Sequence, residues 1–305
     1  MSSEATRLDL EYECVRCALC GENNAKVKFT VSTQDTTLSS VWIDGVRYQP
    51  KEMGTIVVCR TCGLVYVNPR LASKPNVVTY SMEQEQVYFE RSRETRLLAY
   101  RDLIRQLPIW LGQPPRTLLD IGCGDGALVE AACQAGIESA GTEISDTLIH
   151  LVRERLGKDA IVSCDLDELP ATHYDIITLI NVLEHLRTPS EILSASSRLL
   201  KPDGILLVHA PNLGGLPARL QGARWHQIEP LEHFYYFTTK TLKALLRRTG
   251  FEPVARFNLV VSRGLRGQVQ RSLGRMGVYL DNGLGIVARC SLYANGVPSD
   301  ARGGQ

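Results

Sequence analysis

The chain has 305 residues and an apolar fraction of 44%, enough for one α/β domain of about 200 residues plus something smaller. Lys and Arg number 34 against 33 Asp and Glu, a formal charge of +1. The basic surplus that counterion release rewards in a nucleic-acid binder is therefore missing. Residues 1–10 are polar and of mixed charge, unlike a signal peptide, and no run approaches about 20 apolar residues. The expectation is a cytoplasmic protein with no membrane partner and little affinity for nucleic acid.

Five of the nine cysteines fall between Cys14 and Cys62; Cys123, Cys133, Cys164 and Cys290 are scattered. Such clustering in a reducing compartment suggests metal rather than disulfides. Cys17-Ala18-Leu19-Cys20-Gly21 and Cys59-Arg60-Thr61-Cys62-Gly63 bracket a β-rich stretch. Residues 26–32 alternate like a strand. Val41-Trp42-Ile43, Asp44-Gly45 and Val46-Arg47-Tyr48 read as a hairpin, and 55–58 and 64–67 as further strands before Asn68-Pro69. Cys17, Cys20, Cys59 and Cys62 are the expected ligands of a structural Zn2+, since four thiolates leave no open coordination position. Cys14-Val15-Arg16-Cys17 has a valid spacing too; Cys17 and Cys20 are preferred because Cys20-Gly21 mirrors Cys62-Gly63. Residues 1–75 are thus a zinc-ribbon module.

Residues 76–112 read as a helical connector, with Leu97, Leu98, Leu103, Ile104 and Leu107 at helical spacings. Pro108 and Pro114-Pro115 end it. Strands then alternate with helices: strands at 117–121, 139–143, 160–164, 175–179 and 205–209, helices at 126–135, 146–156 and 189–200. That alternation argues a parallel sheet covered on both faces. An aromatic segment, 213–237, is the expected lid. A helix at 239–249 and strands near 253–260 and 285–288 close the sheet, the domain spans 113–290, and 291–305 is a flexible tail. Residues 260–279 have no assigned role.

Leu118-Leu119-Asp120-Ile121-Gly122-Cys123-Gly124-Asp125-Gly126 carries a strand into a glycine loop that opens a helix. Glycines there let backbone approach a ligand. Gly122, Gly124 and Ala127 also satisfy the looser dinucleotide fingerprint. Asp120 argues against pyrophosphate and for a cationic, amine-bearing ligand. Glu143, about 20 residues on, is placed for ribose hydroxyls, and Asp165 for an adenine amine. An adenosine ligand with a positive tail fits better than a dinucleotide.

At these residues the chain resembles the class I S-adenosylmethionine-dependent methyltransferases. The resemblance takes in Thr142-Glu143-Ile144, Cys164-Asp165-Leu166, Asn181-Val182-Leu183-Glu184-His185, Leu200-Lys201-Pro202-Asp203-Gly204 and His233-Phe234-Tyr235-Tyr236-Phe237-Thr238. It implies an α/β fold, a Rossmann-like seven-stranded sheet with one antiparallel strand. It also implies S-adenosyl-L-methionine held by Asp120, Gly122, Cys123, Gly124, Glu143, Ile144, Asp165, Leu166 and Asn181. The N-terminal ribbon is similar to that of bacterial methyltransferases acting on sugars, surface polysaccharides and natural products. Methyl transfer to a small-molecule or saccharide acceptor (EC 2.1.1.-) is the expectation. Two alternatives stand beside it: an RNA or protein methyltransferase with the ribbon as docking module, and a non-catalytic binding protein of the same fold.

His185 and His233 are the candidate general bases for a hydroxyl acceptor, with His226 as a third option. Tyr80, Tyr88 and Arg91 are candidates to close over the methionine carboxylate. Some related quinone O-methyltransferases place Glu-x-x-Glu-His after this strand to bind a divalent metal. Asn181 stands first here, so no catalytic metal is expected.

Overall fold

The computed structural model describes residues 7–8, 11–31, 41–43, 46–50, 55–72, 77–78, 82–259, 269, 272 and 282–291. The Asp44-Gly45 turn, Tyr80, nearly all of 260–279 and the tail beyond 291 lie outside the described residues.

The N-terminal region is a set of short strands: β1 (Arg7–Leu8), β2 (Tyr12–Glu13), β3 (Ala25–Thr30), β4 (Val41–Ile43), β5 (Val46–Pro50), β6 (Thr55–Cys59), β7 (Val65–Val67), β8 (Arg70–Leu71) and β9 (Val77–Val78). β4 and β5 pair antiparallel with Ile43 opposite Val46, the register a two-residue hairpin demands. Two helices follow, α1 (Met82–Ile104) and α2 (Leu107–Leu111), the second ending at Gly112 with φ +87°.

The second region alternates as expected: β10 (Thr117–Ile121), α3 (Ala127–Gln134), β11 (Glu138–Thr142), α4 (Asp146–Leu156), β12 (Tyr174–Ile180), α5 (Pro189–Leu199) and β13 (Leu200–Pro211). It ends with α6 (Leu216–Gln221), β14 (Tyr235–Tyr236), α7 (Thr239–Arg248), β15 (Phe251–Phe257) and β16 (Gly283–Cys290). Every residue of β10 and β12 is buried, as in a parallel strand covered on both faces. The sheet order is β11-β10-β12-β13-β16-β15, with β16 antiparallel to both neighbours. This is the mostly parallel Rossmann-like sheet with one reversed strand.

One edge differs from expectation. Residues 160–164 do not form a seventh strand; they contribute a single parallel bridge, Ile161 to Gly141. The reason lies in the side chains that follow. Ser163 Oγ donates to Glu168, Cys164 Sγ to the Glu143 carbonyl, and Asp165 caps the 3-10 turn at Leu166–Glu168. Local polar bonds of this kind compete with a ladder.

The ribbon is not a separate bead. β14 pairs with β7, giving a sheet ordered β14-β7-β6-β3. Cys17, Leu19, Val57, Cys59, Leu64 and Tyr66 share one hydrophobic core with Leu179, Leu183, Tyr235 and Phe237. Trp225, fully buried, packs with Val31, Ile56, Val65 and Val67 of the ribbon. The 213–237 segment is therefore anchored as a seam between ribbon and sheet.

Candidate functional site

The loop after β10 turns through three left-handed glycines, Gly122, Gly124 and Gly126, at φ +71°, +56° and +73°. Two of them also lack space for a side chain. A Cβ on Gly122 would lie 2.7 Å from Val182, and one on Gly124 would lie 2.7 Å from the Phe89 ring. Both Gly122 and Cys123 donate their N–H to the Thr142 carbonyl at 2.9 Å, which ties the loop to the end of β11. Cys123 is buried, its thiol pushed up by desolvation.

Asp120 is buried at 3% exposure and accepts from Thr178 Oγ1 at 2.5 Å. Burial, with Glu143 and Asp125 nearby, raises its pKa to about 7. Glu143, just past β11, accepts from the N–H groups of Gly124 at 2.9 Å, Ile144 at 2.8 Å and Ser145 at 3.0 Å. Its carboxylate thus joins the glycine loop to the start of α4. Ile144 beside it is an apolar side chain 89% exposed. Asp165 is exposed and accepts from Asp167 N at 3.0 Å. Leu166 sends its side chain into the core and its carbonyl to Arg198. Only the main chain of Leu166 is left for a ligand.

Asn181 ends β12 with φ +55°, a left-handed position Asn tolerates better than most residues. Its Oδ1 pairs with His209 Nδ1 at 2.9 Å, so the side chain is already engaged. Arg91 is exposed on α1, and the Tyr88 side chain lies outside the described residues.

Several residues of the site carried no sequence signal. Asp125, buried at 2% exposure, receives Arg96 at 2.8 Å and lies 3.6 Å from Arg93 and 4.0 Å from Arg155. Phe89 sits over Gly124 with the Arg96 guanidinium 5.0 Å from its ring centroid. α1 is therefore latched onto the glycine loop. Arginines spaced along a charged helix look like a solvated face until the buried Asp is located.

His185 and His233 meet edge to face, ring centroids 4.6 Å apart. An edge of His185 is open to solvent and His233 is buried. Crowding by protein depresses both imidazoles, with His233 adding to the effect at His185, so both are neutral near pH 7. His226 is exposed beside Trp225 and near enough to His233 to oppose its protonation. Glu184, part of the Asn181-Val182-Leu183-Glu184-His185 segment, has no role assigned to it by the sequence. It is 1% exposed, neither carboxylate oxygen has a hydrogen-bond partner, and burial lifts its pKa to about 8.

The ribbon braces this cluster. Glu13 pairs with Arg70 at 2.8 Å and Arg187 at 2.7 Å, and both guanidiniums lie over the Phe234 ring, at 5.4 and 5.0 Å. Val67 N–H donates to the Phe234 carbonyl at 2.9 Å. Within the ribbon, Cys17, Cys20, Cys59 and Cys62 gather, with Sγ–Sγ distances of 3.5 Å for Cys17–Cys62 and for Cys20–Cys59. Cys14 is exposed and outside the group.

Residues 89–256, more than half of the chain, match a family model described as a methyltransferase domain. The ubiquinone biosynthesis O-methyltransferase of Methylococcus capsulatus is 29% identical over 104 residues, 32% of this chain and 44% of that protein. The enzyme of the same name from Cereibacter sphaeroides is 28% identical over 172 residues, 52% of this chain and 68% of that protein. The chain thus spans less than half the length of the first of these relatives. Among solved structures, the plantazolicin methyltransferase BamL, in complex with a triazolic desmethylPZN analog and SAH, superposes with a TM-score of 0.51. Its sequence is 19% identical, over 68% of this chain and 91% of that one, a likeness of fold.

Proposed function

The chain belongs to the methyltransferase domain family, and on that premise we propose that it transfers a methyl group from S-adenosylmethionine to a small-molecule or saccharide acceptor. The observation that carries this reading is the carboxylate-lined glycine loop. Asp120, Asp125 and Glu143 surround loop amides within one short turn. The Arg side chains that reach the loop from α1 and α4 are paired with Asp125. Such a field favours a cation and disfavours pyrophosphate. Glu143 offers its lone pairs to ribose hydroxyls, and exposed Ile144 offers an apolar face to adenine.

S-adenosylmethionine supplies an already activated methyl group, so placement of the acceptor is the main task of the protein. Orientation contributes roughly 7–11 kcal/mol when reactants are held in a near-attack geometry. His185 and His233, neutral near pH 7, are the groups to take a hydroxyl proton, and His233 is held in one tautomer by the Gln227 carbonyl at 2.9 Å. Among the described residues no helix is long and apolar enough to cross a membrane.

The thiol cluster fits Zn2+. A Zn–S bond of about 2.3 Å puts tetrahedral thiolates about 3.8 Å apart, close to the 3.5 Å observed. The Cys17 sulfur accepts from the backbone of Leu19 and Cys20, and the Cys59 sulfur from Thr61 and Cys62. Such N–H groups stabilise bound thiolate. Zinc there is structural and stiffens the ribbon whose Val67 N–H holds the Phe234 carbonyl.

Calorimetric titration with S-adenosylmethionine, with NADH as control, tests the cofactor. Transfer of labelled methyl to sugar-nucleotide, polyphenol and RNA panels tests the acceptor. Preference for NADH, or labelling of RNA alone, overturns the corresponding half of the reading.

A further inference from the structure

We propose that His209 is a positioning residue for the cofactor: it holds the Asn181 amide so that its N–H donors face the methionine carboxylate of bound S-adenosylmethionine. The inference rests on the methyltransferase reading and adds to it a residue that the glycine loop does not contain.

The sheet order places the pair. Glu143 follows β11, the glycine loop follows β10, Asn181 follows β12, and His209 lies near the end of β13. These strands stand side by side as β11-β10-β12-β13. Ligands of such sheets lie across the carboxyl ends of the strands. A cofactor with its ribose at Glu143 and its body over the loop therefore ends, on the far side, at Asn181. The next residue, Val182, lies so close that a Cβ on Gly122 would be 2.7 Å from it, so Asn181 flanks the loop directly.

Asn181 is held in a way that commits only half of its amide. Its backbone N–H donates to the His209 carbonyl at 2.8 Å, and its Oδ1 faces His209 Nδ1 at 2.9 Å. Both bonds go to one residue, and they fix a left-handed backbone of φ +55°, a conformation that costs a non-glycine residue energy. With Oδ1 turned to the ring, Nδ2 points the other way, and Asn181 is exposed while His209 is buried. The far end of the cofactor carries an ammonium and a carboxylate, of which only the carboxylate accepts hydrogen bonds from an amide.

The ring is itself locked. Burial lowers its pKa to about 4, so near pH 7 it is neutral and carries one proton. A Cβ on Gly283 of β16 would collide with His209 Nε2. A proton on that nitrogen would meet carbon, whereas one on Nδ1 meets the Asn181 oxygen. Gly283 thus sets the ring, and the ring sets the amide.

The test is calorimetry on the full-length protein with S-adenosylhomocysteine and with methylthioadenosine, which keeps the adenosine and sulfur but lacks the amino-acid tail. Asn181→Gly removes the amide and keeps the left-handed backbone; His209→Leu removes the ring donor. Each is expected to weaken S-adenosylhomocysteine roughly tenfold or more and to leave methylthioadenosine unchanged. His209→Asn, which keeps a donor near the Nδ1 position, restores the affinity, and Gly283→Ala, which displaces the ring from behind, loses it. Unchanged S-adenosylhomocysteine affinity in Asn181→Gly and His209→Leu overturns the proposal, as does an equal loss for both ligands; in either case binding by the wild-type protein keeps the methyltransferase reading. A wild-type protein that binds neither ligand removes both. Should His209→Leu not fold, Asn181→Gly and Gly283→Ala decide by the same comparison of the two ligands.

Discussion

The carbonyl of Glu184 accepts the N–H of Phe234 at 2.7 Å and that of Tyr235 at 3.3 Å, which brings the loop after β12 against the segment leading into β14. His185 and His233, each next to a partner in the shorter bond, are thereby set ring to ring. Because β14 is hydrogen-bonded to β7 of the ribbon, the candidate acceptor site is assembled by three parts of the chain at once.

Replacing Glu143 with Ala removes the acceptor of three loop N–H groups and the proposed ribose contact. Hydrogen bonds to a charged group contribute about 1.5–3 kcal/mol. The expected outcome is S-adenosylmethionine binding weakened roughly 10- to 100-fold by calorimetry. An unchanged Kd rejects Glu143 as a cofactor ligand.

Gly124→Ala combines a left-handed backbone with a Cβ 2.7 Å from Phe89. We expect a loss of roughly 1–3 kcal/mol in urea unfolding. Adding Phe89→Ala should not deepen that loss by its full single-mutant cost, since the close contact is then gone. Strict additivity of the two changes argues against α1 resting on the loop in solution.

Asp125→Ala leaves Arg96, at low exposure, without its carboxylate, while Arg93 keeps Glu130. Removing one partner of a buried ion pair costs about 3–5 kcal/mol. Chemical denaturation should register a loss of that order, accompanied by faster amide exchange in α1. A change below about 0.5 kcal/mol, the range of ordinary surface substitutions, means the latch is not formed.

Asp120 has a folded-state pKa near 7, raised chiefly by burial from 3.8. The folded protein thus holds a proton that the unfolded chain releases above about pH 4. Its contribution to stability is present in full below the unfolded pKa and is lost as pH rises through about 7. A cationic cofactor favours the ionised form, so binding at pH 6–7 should release protons, read by calorimetry in buffers of different ionisation enthalpy. Asp120→Asn should abolish that release, and its persistence assigns the proton elsewhere.

Cys59→Ser removes one thiol of the ribbon cluster. Cys17, Cys59 and Tyr66 belong to the same core as Leu179 and Phe237, so ribbon and sheet should unfold together, at a lower temperature, in a single calorimetric transition. Two separated transitions in the wild-type protein contradict a shared core.

The local features were legible in the sequence. The strand-to-glycine-loop step at 118–126, the acid after the next strand and the two Cys-x-x-Cys-Gly knuckles depend on residues close together in the chain, where backbone conformation and spacing carry the information. The tertiary structure decided everything that depends on distant segments meeting. It reduced 160–164 to a bridge, because side-chain bonds there outcompete the ladder. It paired Tyr235–Tyr236, at the end of the expected lid segment, with the ribbon strand β7, buried Asp125 beneath the arginines of α1, and gathered Glu184, His185 and His233 in one cluster. Burial and the pairing of remote charges are properties of the packed chain, and no window of neighbouring residues encodes them.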